Sequence, residues 1–248
     1  MLKIKFPATY WRADLKWIFG LIFTFGLISF LGTNLVFSLT SQKPAKKFYK
    51  TLIEEASKKQ NLAKVYPQLT LKAKFFPQAQ IENPLGVKIT GKEIASLSLE
   101  EFKELFGKKL FEEYYLKSKS YKGEMASIIG IMNFETHQKV KDLTKILAIF
   151  VVLSGILMII FAYSFDKLIS LGLSLAIACL PYVVGFLKIQ GELKKAKEGF
   201  VVAFLPLLEE LKPIFENYQK LLILGIVLFV GGILGFIIKK IYLRFKET

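Results

Sequence analysis

His137 and Cys179 are the side chains best suited to bind a metal or attack a substrate, and each is the one residue of its type among the 248. Glu135 lies two residues before His137, but positions i and i+2 of a helix point to different faces, so the pair is poorly placed to share a ligand. Cys179 lies in an apolar segment and has no second cysteine for a disulfide or a thiolate metal site. These residues predict no metal site and no cofactor.

Adjacent acidic residues are a second candidate for chemistry, because paired carboxylates can act as general acid and base when they are buried. Neighbouring residues on a helix do not face each other, and each pair here has lysines close by. We interpret them as solvated helix faces and expect a protein that is not an enzyme. The pairs are Glu54-Glu55, Glu100-Glu101, Glu112-Glu113 and Glu209-Glu210.

Four long apolar segments dominate the rest of the chain. Apart from Lys145 near the start of the second segment, they contain no charged residue. Each has about 18 or more residues, the length that a helix needs to cross a bilayer. Proton pumps, haem carriers and secondary transporters generally place ionisable residues in their spans, so the sequence argues against these classes. The segments are residues 17–39, 143–163, 168–187 and 221–238.

The net charge of +15 on a chain that is 53% hydrophobic indicates attraction to an anionic lipid surface rather than to nucleic acid. Residues 1–16 and 239–248 are both basic, and four crossings place the two termini on one side. The positive-inside rule then predicts that both termini are cytoplasmic. With one cysteine the chain has no disulfide scaffold, which favours the plasma membrane of a bacterium or archaeon. Lysines directly after the first segment leave the inverted orientation open.

The segment order predicts a mainly α integral membrane protein with four transmembrane helices and a small α+β extracytoplasmic domain between helices 1 and 2. The predicted parts are a basic cytoplasmic segment (1–16), helix 1 (17–39), the domain (40–142), a helical hairpin (143–187), an amphipathic extracytoplasmic loop (188–220), helix 4 (221–238) and a basic cytoplasmic tail (239–248).

Periodicity predicts the elements of the domain. Apolar residues recur every four positions over 46–60, which indicates an amphipathic helix. Residues 69–75 alternate strictly between apolar and polar, as do 85–90, which is typical of two strands with one covered face. Ser98 and Glu101 form a capping-box pattern before a second amphipathic helix.

Small residues at intervals of four lie within the apolar segments, where they permit close approach of helix backbones. Such packing is possible within one chain or between copies, so a homo-oligomer stays open. Pro181 predicts a kink or a break in the third segment. The predicted packing residues are Gly231 and Gly235 in the last segment and Ser170, Ser174 and Ala178 in the third.

An apolar stripe at nearly helical spacing lies in the loop 188–220. It must be covered by lipid headgroups, by the 40–142 domain or by a partner protein. We interpret it as a surface for a partner or for lipid, and we expect Pro206 and Pro213 to break or bend any helix there. The stripe consists of Phe200, Phe204, Leu207, Leu208, Leu211 and Phe215.

The sequence therefore favours a non-catalytic membrane protein, an accessory, scaffold or assembly subunit that binds another membrane or extracytoplasmic protein. The main alternative is a sensor or a module that binds a lipid or a small apolar ligand. A passive pore lined by small hydroxyl side chains and a membrane-embedded enzyme are the remaining alternatives.

Overall fold

A computed structural model describes residues 8–59, 61–82, 87–120, 126–195 and 204–247. The described chain is mainly helical, with two short strands. In chain order, the elements are α1 (Ala8–Leu39), α2 (Gln42–Lys59), α3 (Leu62–Phe75), β1 (Gln80–Glu82), β2 (Lys88–Thr90), α4 (Gly91–Ile94), α5 (Leu99–Leu110) with a π-helical continuation (Phe111–Leu116), α6 (Ala126–Ile131), α7 (Phe134–Phe161), α8 (Asp166–Lys195) and α9 (Leu205–Glu247).

The chain divides into two compact units. We call Met1–Leu35, Lys141–Ile189 and Lys212–Thr248 the membrane unit, and Val36–Val140 with Gln190–Leu211 the inserted unit. Among the described residues, four helices, α1, α7, α8 and α9, are long and apolar enough to span a bilayer. The prediction of a multi-pass membrane protein is confirmed.

The last two spanning helices are longer than the apolar segments that predicted them. α9 has 43 residues and continues through Pro213. Pro206 lies in its first turn, where no backbone donor is required, so this proline does not oppose the helix. α8 likewise continues through Pro181. A break at Pro181, Pro206 or Pro213 is therefore wrong as a prediction, whereas the kink or bend that was its alternative stays a prediction.

Polar groups inside the membrane unit are satisfied by neighbouring helices. The Thr24 hydroxyl donates to Ser174 Oγ at 2.9 Å, and the Tyr218 hydroxyl donates to the Leu31 carbonyl at 2.8 Å. The Tyr182 hydroxyl donates to the Ile28 carbonyl at 2.7 Å. Each bond joins α1 to α8 or α9, so these polar side chains hold the spanning helices together.

The inserted unit has its own hydrophobic core, built from α2, α5 and the π-helical segment. Phe48 and Tyr49 of α2 and Leu110 and Tyr115 are fully buried there. Both predicted helices are confirmed, and Ser98 caps α5 because its hydroxyl accepts from the Glu101 N–H at 3.3 Å.

The predicted α+β character of this domain is not supported. Residues 69–75 belong to helix α3, not to a strand. The strands that do form have three residues each and pair antiparallel, with Ile81 opposite Ile89. Of the predicted strand over 85–90, only Lys88–Thr90 is one, and residues 85 and 86 lie outside the described part.

Candidate functional site: an exposed apolar face on helix α3

Helix α3 carries apolar side chains on two opposite faces. Each residue of a helix turns about 100°, so residues two apart lie on nearly opposite sides and residues four apart share a side. The pattern that predicted a strand therefore places Ala73 on one side and Leu71 with Phe75 on the other. Tyr66, seven residues before Ala73, lies on the same side as Ala73.

One of these faces supports the core. Ala73 is 1% exposed and Tyr66 is 8% exposed, and both belong to the core of the inserted unit. The Tyr66 hydroxyl donates to the Leu97 carbonyl at 2.8 Å, and its ring packs against Phe102 with 5.2 Å between centroids. This contact satisfies the buried polar atom and attaches α3 to α5.

The opposite face is open. Leu71 is 57% exposed, Phe75 is 74% exposed and Phe76, which ends the helix, is 61% exposed. We call these three residues the α3 face. Single exposed apolar residues are common, but a cluster with two phenylalanines on one helix end indicates a binding surface.

The α3 face has a positively charged border. Lys64, Lys72 and Lys74 are exposed on the same helix, and α3 contains no acidic residue. An apolar centre with a basic border favours a partner that offers apolar side chains bordered by carboxylates.

Backbone contacts fix the end of α3 and with it the position of Phe75 and Phe76. The Phe76 N–H donates to the Lys72 carbonyl at 2.9 Å, and the Lys92 N–H donates to the Pro77 carbonyl at 2.8 Å. A Cβ on Gly91 would lie 3.0 Å from the Ala73 carbonyl oxygen, so the close approach of α4 to α3 requires glycine here. These contacts therefore fix the backbone that carries the face.

Glu93 holds α4 to α5 beneath this support. Its carboxylate lies 2.7 Å from Lys109 Nζ and accepts from the Thr90 N–H at 2.9 Å. The Lys109 ammonium, and after it the Thr90 N–H, lower the pKa of Glu93 to about 2. The carboxylate is therefore charged at neutral pH and stabilises the folded inserted unit.

The predicted stripe at 200–215 is largely covered by the chain itself. Leu207 and Leu211 are 4% and 6% exposed, and Leu207 belongs to the core of the inserted unit. Phe204 packs against Phe48 with 5.8 Å between centroids. Phe215, 5% exposed, stacks on Phe186 in the membrane unit.

Two members of the stripe differ from this pattern. Leu208 is partly exposed, and Phe200 lies outside the described residues. A role of the stripe in binding a partner or lipid stays a prediction. The buried members of the stripe contribute to folding.

The predicted packing residues have different surroundings. Ala178 and Ser174 are buried in the membrane unit, and Ser170 is partly buried. A Cβ on Gly231 would meet nothing within 4 Å, whereas one on Gly235 would touch the Phe165 ring. Packing of Gly231 against another chain stays a prediction.

α8 and α9 approach each other closely at glycines other than the predicted Gly231 and Gly235. A Cβ on Gly225 would lie 2.9 Å from the Gly172 carbonyl oxygen, and one on Gly232 would lie 2.9 Å from the Ile169 nitrogen. Gly225 and Gly232 are seven residues apart, a spacing that also places them on one helix face.

The side chains that we considered for metal binding or catalysis do not lie together. The His137 ring stacks on Phe37 with 4.7 Å between centroids, and its Nδ1 lies 3.2 Å from Thr40 Oγ. Glu135 instead forms an ion pair with Lys139 at 2.6 Å. Within the described ranges, no three His, Cys, Asp or Glu side chains are grouped as a metal site would require.

A groove of about 430 Å³ lies between α2, α5 and the π-helical segment of the inserted unit. Four lysines, Lys46, Lys50, Lys103 and Lys108, line the groove together with the acidic residues Glu104 and Glu112. Phe111 and Leu116 are apolar parts of the lining, and the Lys46 ammonium lies 5.4 Å from the Phe111 ring centroid. Four lysines outnumber two carboxylates, so the lining is positively charged and partly apolar, which suits an anionic amphiphile.

Sequence analysis did not identify the α3 face as a site, although its signal was present. Alternation of apolar residues over 69–75 indicates either a strand or a helix with two apolar faces, and Pro67 alone does not decide between them. No protein-family model, no curated protein and no solved structure matches this chain.

Proposed function

We propose that this chain is a non-catalytic membrane protein, an accessory, scaffold or assembly subunit, and that its inserted unit binds a partner protein through the α3 face. The observation that carries the proposal is the exposure of Leu71, Phe75 and Phe76 opposite a face that is already buried in the core. The fold does not need these three side chains, so their apolar surface is available to a partner.

The nature of the face indicates how a partner would be held. Phenylalanine is enriched at interfaces because it supplies large contact area with few rotatable bonds, and truncation of such an anchor costs more binding energy than truncation of its neighbours. The lysines around the face would steer a partner with acidic residues and would contribute mainly to the association rate.

We further infer that both termini face the cytoplasm of a bacterium or archaeon, which makes the inserted unit extracytoplasmic. The basic ends support this orientation. Arg12 near the start of α1 donates to the Tyr163 hydroxyl at 3.2 Å, which places the start of α1 and the α7–α8 turn at the same end of the membrane unit. A membrane-impermeant maleimide on intact cells tests it: Lys72→Cys should be labelled and Lys246→Cys should not. The reverse labelling would establish the inverted orientation.

The partner is tested with the full chain, solubilised in mild detergent from the membranes of its host. A protein present in stoichiometric amount with the wild type should be lost with Leu71→Ser and Phe75→Ser. Ile131→Ser is the matched control, because Ile131 is 52% exposed on α6 of the same unit. A partner that is retained by both α3 variants would overturn the proposal.

The second candidate function is a sensor or a module that binds a lipid or small apolar ligand, and the lysine-lined groove favours it. Native mass spectrometry of the purified chain distinguishes the two functions. A bound anionic amphiphile that is lost with Lys50→Gln, in a chain without a partner protein, would support the sensor and contradict the scaffold.

A further inference from the structure

A cavity of about 410 Å³ lies at one end of the membrane unit, where the α7–α8 turn meets the C-terminal half of α9. Its volume is in the range of sites that enclose a substantial part of a small molecule. Its lining combines apolar and polar side chains. Phe165, Phe236 and Leu243 are apolar, and Ser164, Lys239 and Lys240 are polar or charged.

The charge balance of this cavity is positive. Asp166 also lines it, but its carboxylate is paired with Lys16 Nζ at 2.9 Å, and the Lys16 side chain is only 11% exposed. Within the described ranges, neither Lys239 nor Lys240 lies in ion-pairing distance of a carboxylate. Two lysines are therefore available for an anion in this cavity.

A third cation contacts a residue of the cavity lining. The Arg12 guanidinium donates to the Tyr163 hydroxyl at 3.2 Å and lies 5.6 Å from the centroid of that ring, which itself lines the cavity. Arg12 is thus held in place by a residue of the turn and adds positive potential at the same opening.

The position of the cavity along the helices identifies the kind of ligand. α7 ends at Phe161 and α8 begins at Asp166, so the turn marks the end of two candidate spans. At such a depth, acyl chains meet headgroups, and basic pockets between spanning helices bind anionic headgroups. Apolar side chains next to two lysines match an acyl chain next to a phosphate.

We propose that this cavity is a binding site for one anionic phospholipid. The phosphate binds Lys239 and Lys240 and accepts a hydrogen bond from the Ser164 hydroxyl, and an acyl chain packs against Phe165 and Phe236. The site is independent of the α3 face, because its residues all belong to the membrane unit.

The test uses the full chain in nanodiscs that contain phosphatidylcholine and phosphatidylglycerol in equal amounts. After transfer to detergent, native mass spectrometry measures which lipid stays bound. We expect the wild type to retain phosphatidylglycerol with roughly tenfold preference, and Lys239→Gln/Lys240→Gln to lose that preference. Both lysines are exposed, so the substitutions should leave folding unchanged.

The matched control is Lys167→Gln/Lys246→Gln. These lysines are exposed at the same end of the membrane unit but do not line the cavity. Retained preference in this control supports a specific site. Equal loss in both double variants, or loss in neither, would overturn the proposal. Binding of inorganic phosphate to the wild type without retention of phosphatidylglycerol would also overturn it, because the site would then bind phosphate alone and not the lipid.

Discussion

Lysine substitutions along α3 test whether this segment is a helix with two apolar faces. In a strand, residues 71, 73 and 75 share one face, so lysine at each position would have a similar effect. In the helix described here, Leu71 and Phe75 are exposed and Ala73 is buried. We therefore expect Leu71→Lys and Phe75→Lys to be tolerated and Ala73→Lys to unfold or strongly destabilise the inserted unit.

The expected losses in the free energy of unfolding follow from how deeply each residue is buried. Ala73 is 1% exposed, so a lysine there overpacks the core, at about 1–3 kcal/mol, and desolvates an ammonium, at roughly several kcal/mol more. Typical domains have a free energy of unfolding of about 5–15 kcal/mol, so this loss is a large fraction of the total. Phe75 is 74% exposed and has little buried area to lose, so Phe75→Lys should cost less than about 1 kcal/mol.

Hydrogen exchange measured by mass spectrometry on the full chain in detergent is a suitable assay, because peptides from α2 and α5 report the stability of the inserted unit alone. Their protection should be unchanged by Leu71→Lys and Phe75→Lys and lost with Ala73→Lys. Equal loss of protection in Leu71→Lys and Ala73→Lys would refute the helical assignment. A loss above about 2 kcal/mol in Phe75→Lys would show that this ring is covered and would remove the basis of the proposed interface.

Gly225→Leu should destabilise the membrane unit by more than about 2 kcal/mol, because α9 lies directly against the α8 backbone at this residue. Gly231→Leu, the control, should have no effect on stability. Similar melting temperatures for the two variants would contradict this packing. The pKa of Glu93 is lowered to about 2, chiefly by Lys109, so its contribution is complete above pH 4.5 and is lost as the pH falls from 4.5 towards 2. Glu93→Gln should reduce this acid sensitivity in urea titrations at several pH values, and an unchanged pH profile would contradict the assignment. Tyr115→Phe removes a buried hydroxyl that donates to a backbone carbonyl at 2.8 Å, and it should lower the free energy of unfolding in urea by about 1–3 kcal/mol. An unchanged free energy of unfolding would show that the carbonyl finds another donor.

Segment length and the scarcity of charge were sufficient to predict the spanning helices, because lipid leaves no alternative to a helix for a long apolar segment. The same argument did not predict where α9 begins. Leu205–Leu211 is more polar than the span and contains Pro206, yet it is helical because Leu207 and Leu211 recur on one buried face. Packing within the inserted unit extends the helix beyond the part that lipid requires.

The predicted stripe shows a second limit of periodicity. Residues 204–215 have the spacing of a helix with one apolar face, and the helix forms. Periodicity does not identify what covers such a face, because core side chains, lipid and a partner protein all satisfy the same pattern. The burial of Leu207 against the core of the inserted unit depends on contacts between residues far apart in the sequence.

The wrong strand prediction and the proposed interface have one physical cause. A helix that only supports a core needs one apolar face, and its apolar residues then recur every three or four positions. α3 instead has Ala73 in the core and Leu71 and Phe75 exposed on the other side, so its apolar residues alternate. A globular unit gains nothing from exposing Phe75 to water, since a polar residue there would keep the same helix and be more soluble. The second apolar face is therefore better explained by a binding partner than by folding, and Phe75→Lys should separate the two: folding is retained and binding is lost.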